Sequence, residues 1–205
     1  MSHFESIQEM LNVLNAESGI EASTLHEDGR VNSIKDEDNI ISEMKRLFKD
    51  RIKEPKARHW YDVMIDGIPC QIKASTGGSD NFSSKKAVVY TLTNMIITEV
   101  DRMKNGFPVF DNIIRQRRDD NNQRDYPIVV LDKNTNTLHL KTLKTLTCLV
   151  PNGNNLPFQI NWNKELTNEP VERTGAEAYN FIIGAYIESV KKKLSQHKDT
   201  LSLLD

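Results

Sequence analysis

Three residues in the first half of the chain have types and spacing suited to phosphodiester chemistry: Asp62, Gln71 and Lys73. They lie in WYDVMIDGIPCQIKAS, residues 60–75, where apolar and polar side chains alternate. A β-strand turns successive side chains to opposite faces. Tyr61, Val63 and Ile65 therefore share one face, joined by Cys70, Ile72 and Ala74 if the chain doubles back across Asp66-Gly67-Ile68-Pro69. Asp62, Gln71 and Lys73 are left together on the other face. A two-residue turn at Gly67-Ile68 sets Asp62 opposite Lys73 and diagonal to Gln71, within reach of one ion. Glycine in the first position fits a type II′ turn, while Pro69 cannot donate the closing hydrogen bond. An even-numbered shift of register keeps the shared face.

The chemistry follows from the donor types. Mg²⁺ takes oxygen ligands, keeps several waters and is typically held by one or two carboxylates plus substrate phosphate. Asp62 supplies a carboxylate, Gln71 an amide oxygen, and the Ile72 carbonyl is a further donor. Lys73 can lower the pKa of an attacking water and stabilise charge on a pentavalent phosphorane. An Asp and a Lys on facing strands are equally what a solvated cross-strand pair looks like. The spacing alone leaves both readings open.

The elements that must position this hairpin are read from periodicity. Ser2–Leu14 reads as an amphipathic helix through Phe4, Ile7, Leu11 and Leu14, with Ser2 and Glu5 as a capping box. Ile20–Leu25 and Arg30–Ile34 read as extended pieces around a turn at Glu27-Asp28-Gly29. Asn39–Asp50 reads as a helix on the stripe Ile40, Ile41, Met44, Leu47 and Phe48, capped by Asp36 or Asp38. Ser84–Met103 is ambiguous, long enough for helix yet rich in β-branched residues. Phe110–Arg118 reads as helix, and Tyr126–Leu131, Thr137–Leu149 and Phe158–Trp162 as strands. Thr174 and Glu177 open a long helix through Leu194. With no internal repeat or evident linker, one α/β domain over residues 1–205 is the economical expectation.

Bulk properties bound the function classes. The chain has 205 residues, 38% hydrophobic and 27% charged, with a net charge of −2. Such a balance does not favour non-specific nucleic-acid binding unless the basic residues gather on one face. Cys70 and Cys148 are the only cysteines. They form no CxxC and suit a reducing cytoplasm. MSHFESIQEM lacks the marks of a signal peptide, and no apolar run has membrane-spanning length. A cytoplasmic protein is expected. The five His are scattered and no GxSxG is present, so serine, cysteine or histidine hydrolysis has little support.

The stretch D-x8-QIKAS is similar to the active-site signature of PD-(D/E)xK type II restriction endonucleases. GIEASTLHEDGRVNSIKDEDNIISEMKRLF, residues 19–48, resembles the N-terminal region of the EcoRV-like members, and TGGSDNFSSKKAVVYTLT after Lys73 is also similar to restriction-enzyme sequences. The resemblance covers about the first 95 residues. It implies a central mixed β-sheet flanked by helices, a Mg²⁺ cofactor and no nucleotide cofactor. It further implies site-specific cleavage of double-stranded DNA at a short palindrome by a homodimer, since a two-fold site calls for two active centres. The N-terminal helix and the Thr174–Leu194 helix, with Tyr179, Phe181 and Tyr186, are either interfaces or core helices. Two departures matter. Tyr61 stands where the signature has Pro, and Gln71 where it usually has an acid. An acid from outside the motif is then needed. Glu43 lies at the border of the apolar stripe, although in EcoRV-like sequences the helix Glu falls one turn later, at Arg46.

For DNA contact, Ser75, Thr76, Gly77, Gly78, Ser79, Asn81, Ser83 and Ser84 form a loop whose backbone and hydroxyls could meet phosphate, with Lys85 and Lys86 behind it. Arg115, Gln116, Arg117, Arg118 and Arg124 form the densest basic cluster, offset by Asp119, Asp120 and Asp125. Lys141 and Lys144 could anchor phosphates. Asn152, Asn154 and Asn155 could reach base edges, though Asn and Gly are also ordinary turn residues. Two rivals remain: another nuclease on the same fold, such as a Holliday-junction resolvase or repair endonuclease, and a non-catalytic DNA-binding protein.

Overall fold

The computed structural model describes residues 4–17, 20, 22–23, 29–55 and 59–202, the side chains of 29–31 and 199–202 excepted. It is an α/β protein that divides into two compact units, residues 1–77 with 126–142 and residues 78–125 with 143–205.

The first unit is built where period-two and period-3.6 apolar patterns meet. Its five-stranded mixed sheet runs β1-β2-β3-β5-β6, from β1 (Ile52–Lys53), β2 (Val63–Ile65), β3 (Ile68–Ser75), β5 (Pro127–Asp132) and β6 (Thr137–Thr142). Only β3 and β5 are parallel, paired from Gln71↔Ile128 to Ser75↔Asp132. A parallel pair needs a long crossover, which residues 76–126 supply. Helices α1 (Glu5–Glu17) and α2 (Gly29–Phe48) pack on this sheet. Ile7, Met10, Leu11 and Leu14 of α1, Ile40, Ile41 and Met44 of α2, and Val63, Ile65, Cys70, Ile72 and Ala74 of the hairpin form one buried cluster. Each large aliphatic buried there contributes about 1.5–3 kcal/mol. Asn15 seals the edge of β6, donating to the Leu138 carbonyl at 3.0 Å and accepting from its N–H at 2.8 Å.

The second extended piece expected in residues 20–34 is helix instead. Arg30–Ile34 lies inside α2, which begins at Gly29. Asp36 and Asp38 are therefore interior helix residues and cap nothing. Of Ile20–Leu25, Ile20, Ala22 and Ser23 are irregular. Residues 24–28, with the turn at Glu27-Asp28, and the cap at Ser2 lie outside the described residues.

The second unit holds a three-stranded antiparallel sheet, β4-β8-β7, from β4 (Ser79–Phe82), β7 (Leu149–Val150) and β8 (Phe158–Asn161). Phe82 stacks on Phe158 at 5.4 Å across it. Its helices are α3 (Lys85–Leu92), α4 (Ile97–Arg102), α5 (Phe107–Arg117), α6 (Trp162–Glu165) and α7 (Gly175–Ser202). The ambiguous Ser84–Met103 stretch is thus two helices. Ser84 caps α3 by accepting from the Ala87 N–H, and all six residues Ala87–Leu92 are buried. Burial on every side overrides the weak helix propensity of VVYTL. The expected strand Thr137–Leu149 stops at Thr142 and resumes only as β7. The capping box at α7 forms as expected, with Glu177 accepting from the Thr174 N–H at 2.8 Å. Among the described residues, no helix is long and apolar enough to cross a membrane.

Candidate active site

The hairpin closes through a turn at Asp66-Gly67, both with positive φ (51° and 81°). That is the signature of a type I′ turn. The turn expected at Gly67-Ile68 is displaced by one residue, and the register becomes Val63↔Cys70, Met64↔Pro69 and Ile65↔Ile68. The Asp62 N–H donates at 2.9 Å to the carbonyl of Cys70, the partner of Val63, so the regular ladder ends at Val63. Asp62 therefore lies just before the paired residues, beside Cys70–Ile72, and is not set opposite Lys73 as expected. Burial still alternates. Cys70, Ile72 and Ala74 are buried, whereas Asp62, Gln71 and Lys73 are half-buried.

Asp62 is held by its surroundings. Its carboxylate accepts from the Ile72 N–H at 2.8 Å. Burial pushes its pKa above the ordinary aspartate value, with the Ile72 N–H and the Lys73 charge opposing that shift. Tyr61 stiffens the approach where the signature has proline. It is buried, edge-on to Trp60 at 5.1 Å and 4.2 Å from the His59 ring. Trp60 in turn stacks on Tyr126 at 5.7 Å, and the Tyr126 hydroxyl donates to the Trp60 carbonyl at 2.9 Å. Packing thus restrains the backbone that a pyrrolidine ring would otherwise fix.

The outside acid that reaches the hairpin is Glu37. Lys73 Nζ donates to Glu37 Oε1 at 3.1 Å, with both side chains about three-quarters buried. Glu43 is engaged elsewhere, its two carboxylate oxygens taking Arg46 at 2.8–3.2 Å on the helix surface. Asp36, next to Glu37, enters the interior and pairs with Lys133 at 2.7 Å. The sequence carries a signal for this. Asp36 and Glu37 sit one turn before Ile40 and Ile41, on the face that Met44 continues. Starting the helix at Asn39 hides it.

Asp62, Gln71 and Glu37 offer oxygen donors, the chemistry a hard divalent cation requires. A half-buried carboxylate whose charge is disfavoured by desolvation is a place where added positive charge is favourable. Among the described residues, no three His, Cys, Asp or Glu gather into a metal-holding group. An ion here would rest on two carboxylates, an amide and substrate oxygen.

The residues expected to meet DNA lie in different settings. Ser75 is buried, its hydroxyl closing a turn with Gly77, whose φ is 102°. Thr76 is exposed and Gly78 also has positive φ. Ser79 and Asn81 belong to a strand rather than a loop, and Asn81 accepts from Gln159 at 2.8 Å. Ser83 leads into α3. Lys85 lies over the Phe107 ring at 4.4 Å, and Lys86 donates to the Asp101 carbonyl at 2.7 Å. Most of the arginine run is engaged within its own unit. Arg117 takes Asn94 and Glu99, while Arg118 takes Asp120 at 2.6 and 2.7 Å and covers the Tyr179 ring. Arg124 donates to the Met95 and Thr93 carbonyls. Arg115 stays exposed against Asn112. Lys141 is half-buried on β6. Lys144 donates to the Asn122 carbonyl at 2.5 Å. Asn152 builds its own turn by accepting from the N–H groups of Asn154 and Asn155, which are exposed.

No protein-family model matches the chain, and neither the curated proteins nor the solved structures give a match.

Proposed function

We propose that this chain is a Mg²⁺-dependent endonuclease of the PD-(D/E)xK type, acting as a homodimer on double-stranded DNA at a short palindromic site. The observation that carries the reading is the constellation about β3: the Asp62 carboxylate bonded to the Ile72 N–H between Gln71 and Lys73, and Lys73 bonded to a helix acid, Glu37. The mixed sheet flanked by α1 and α2 agrees with a restriction-endonuclease-like core and supports the assignment.

In this reading Asp62, Gln71 and Glu37 hold the ion. Once bound, Mg²⁺ polarises the phosphoryl oxygen and lowers the pKa of water. The chain's own residues do the rest. The Ile72 N–H fixes the Asp62 carboxylate. Glu37 keeps Lys73 on the face where the phosphoryl group gains negative charge, and the ammonium stabilises that charge. Water oxygen attacks phosphorus, the P–O3′ bond breaks, and the leaving 3′ oxygen takes a proton.

Incubating the protein with supercoiled plasmid and Mg²⁺ should give discrete fragments with one end sequence, and EDTA should stop the reaction. Preferential cutting of four-way junctions would instead indicate a resolvase. No cleavage under varied salt would leave a DNA-binding protein. The identity of the outside acid has its own test. Glu37→Gln is expected to lower the cleavage rate about 10- to 100-fold, because the amide keeps an oxygen for the ion but loses the charge that holds Lys73. Glu43→Gln, which breaks only an exposed pair, should change it less than about two-fold. Equal effects would remove Glu37 from the site.

A further inference from the structure

We propose that the C-terminal turns of α7 are a docking surface for the phosphate backbone of duplex DNA. Every residue from Lys191 to Lys198 is exposed. The segment KKKLSQHK places Lys191, Lys192, Lys193, His197 and Lys198 within just over two turns, and no Asp or Glu lies between Ser189 and Lys198. Several basic side chains elsewhere are tied down: Arg46 to Glu43, Arg51 to Asp66, Lys73 to Glu37, Arg118 to Asp120, Lys133 to Asp36. On α7 only Lys191 has a carboxylate partner among the described residues, Glu188 at 2.7 Å. Lys192 donates to the Pro151 carbonyl. In a chain of net charge −2, this is the densest run of exposed lysines among the described residues, a better electrostatic footprint than the arginine run of α5.

Charge complementarity selects the occupant. Ile187, Val190, Leu194 and His197 recur at alternating three- and four-residue spacing, and Ile187 and Leu194 are 46% and 57% exposed. Such a seam would suit a second helix. Its flanks, however, are Lys191, Lys193 and Lys198, so a second copy would set Lys against Lys. A lipid surface needs a broad apolar face, and within residues 191–198 Leu194 is the only large apolar side chain. A polyanion satisfies the lysines without needing the seam. The choice of duplex DNA as that polyanion rests on the nuclease reading above.

The test is binding of the full chain to a short labelled duplex in EDTA, where nothing is cut, titrated with salt. The variant K191Q/K192Q/K193Q/K198Q should bind at least about ten-fold more weakly, with the slope of log K against log salt reduced by about 2–4, near 0.9 per lost phosphate contact. The matching four-arginine variant should restore both. An unchanged slope, or no duplex binding by the unsubstituted chain, would overturn the proposal, as would binding to phosphatidylserine vesicles without binding to duplex. Plasmid cleavage is scored separately. Cleavage with an unchanged slope removes the surface and leaves the nuclease, whereas lysine-dependent binding without cleavage does the reverse.

Discussion

Asp62→Asn is expected to lower Mg²⁺-dependent cleavage by about 10²- to 10³-fold while raising the unfolding midpoint at neutral pH. The loss of rate follows from removing the one motif carboxylate that can hold the ion. The gain in stability follows from the direction of its pKa. Desolvation raises Asp62 above its ordinary value, and the Ile72 N–H and the Lys73 charge oppose that only in part. A carboxyl raised in the folded state contributes stability that is complete below its unfolded pKa of about 3.9. That stability is lost as pH rises through the folded value. Asparagine has the same shape, still offers an oxygen to the Ile72 N–H, and never ionises. Its advantage in melting temperature should therefore grow as pH is raised from acid towards neutrality. Lys73→Gln should match the loss of rate without the gain, because it removes a charge that favours ionised Asp62. If Asp62→Asn lowered the midpoint at neutral pH, the carboxylate would be structural, and the trade of stability for activity expected at such sites would be absent.

The hairpin was legible because period two is insensitive to the error made in reading its turn. Gly67-Ile68 and Asp66-Gly67 differ by one residue in turn position and by two in pairing, so Val63, Ile65, Cys70 and Ile72 keep one buried face in either register. The Asp66 φ of 51° is a conformation that Asp adopts far more readily than Ile would. Helix α2 was legible only in its apolar half. RVNSIKDEDN has few apolar residues, and its buried members, Asn32 and Asp36, are polar. Lys133, the ion-pair partner of Asp36, comes from distant sequence, and no local pattern announces it. The setting of the basic run of α5 was hidden for a related reason. Charge counts are readable from sequence, whereas the carboxylates, carbonyls and rings that absorb each charge are set by tertiary packing. The neighbouring Asp120 was visible. The Tyr179 ring under Arg118 and the Met95 carbonyl on Arg124 were not.

Asp36→Ala should cost about 3–5 kcal/mol of stability, the effect of removing one partner from a buried ion pair. The Asp36 side chain is fully buried, that of Lys133 is 11% exposed, and they meet at 2.7 Å. The carboxylate also accepts from the Ser23 N–H at 2.7 Å. Truncation strands an ammonium and an amide where water cannot replace what was lost. The cost is in the stranded groups rather than the attraction itself, so Asp36→Leu combined with Lys133→Met should recover most of it. Salt should leave it almost unchanged, since screening is weak for a buried pair. One position further along α2 the expectation inverts. The Glu37–Lys73 pair is partly exposed, so Glu37→Gln should shift the unfolding midpoint by less than the equivalent of about 1 kcal/mol while the cleavage rate falls. Adjacent acids on one helix would then divide cleanly, Asp36 fastening α2 to the end of β5 and Glu37 using that fixed position to meet Lys73. Chemical unfolding and cleavage measured on both single variants decide the matter. An Asp36→Ala midpoint within about 1 kcal/mol of the unsubstituted chain would mean that the pair does not anchor the helix. The placement of Glu37 would then need another cause.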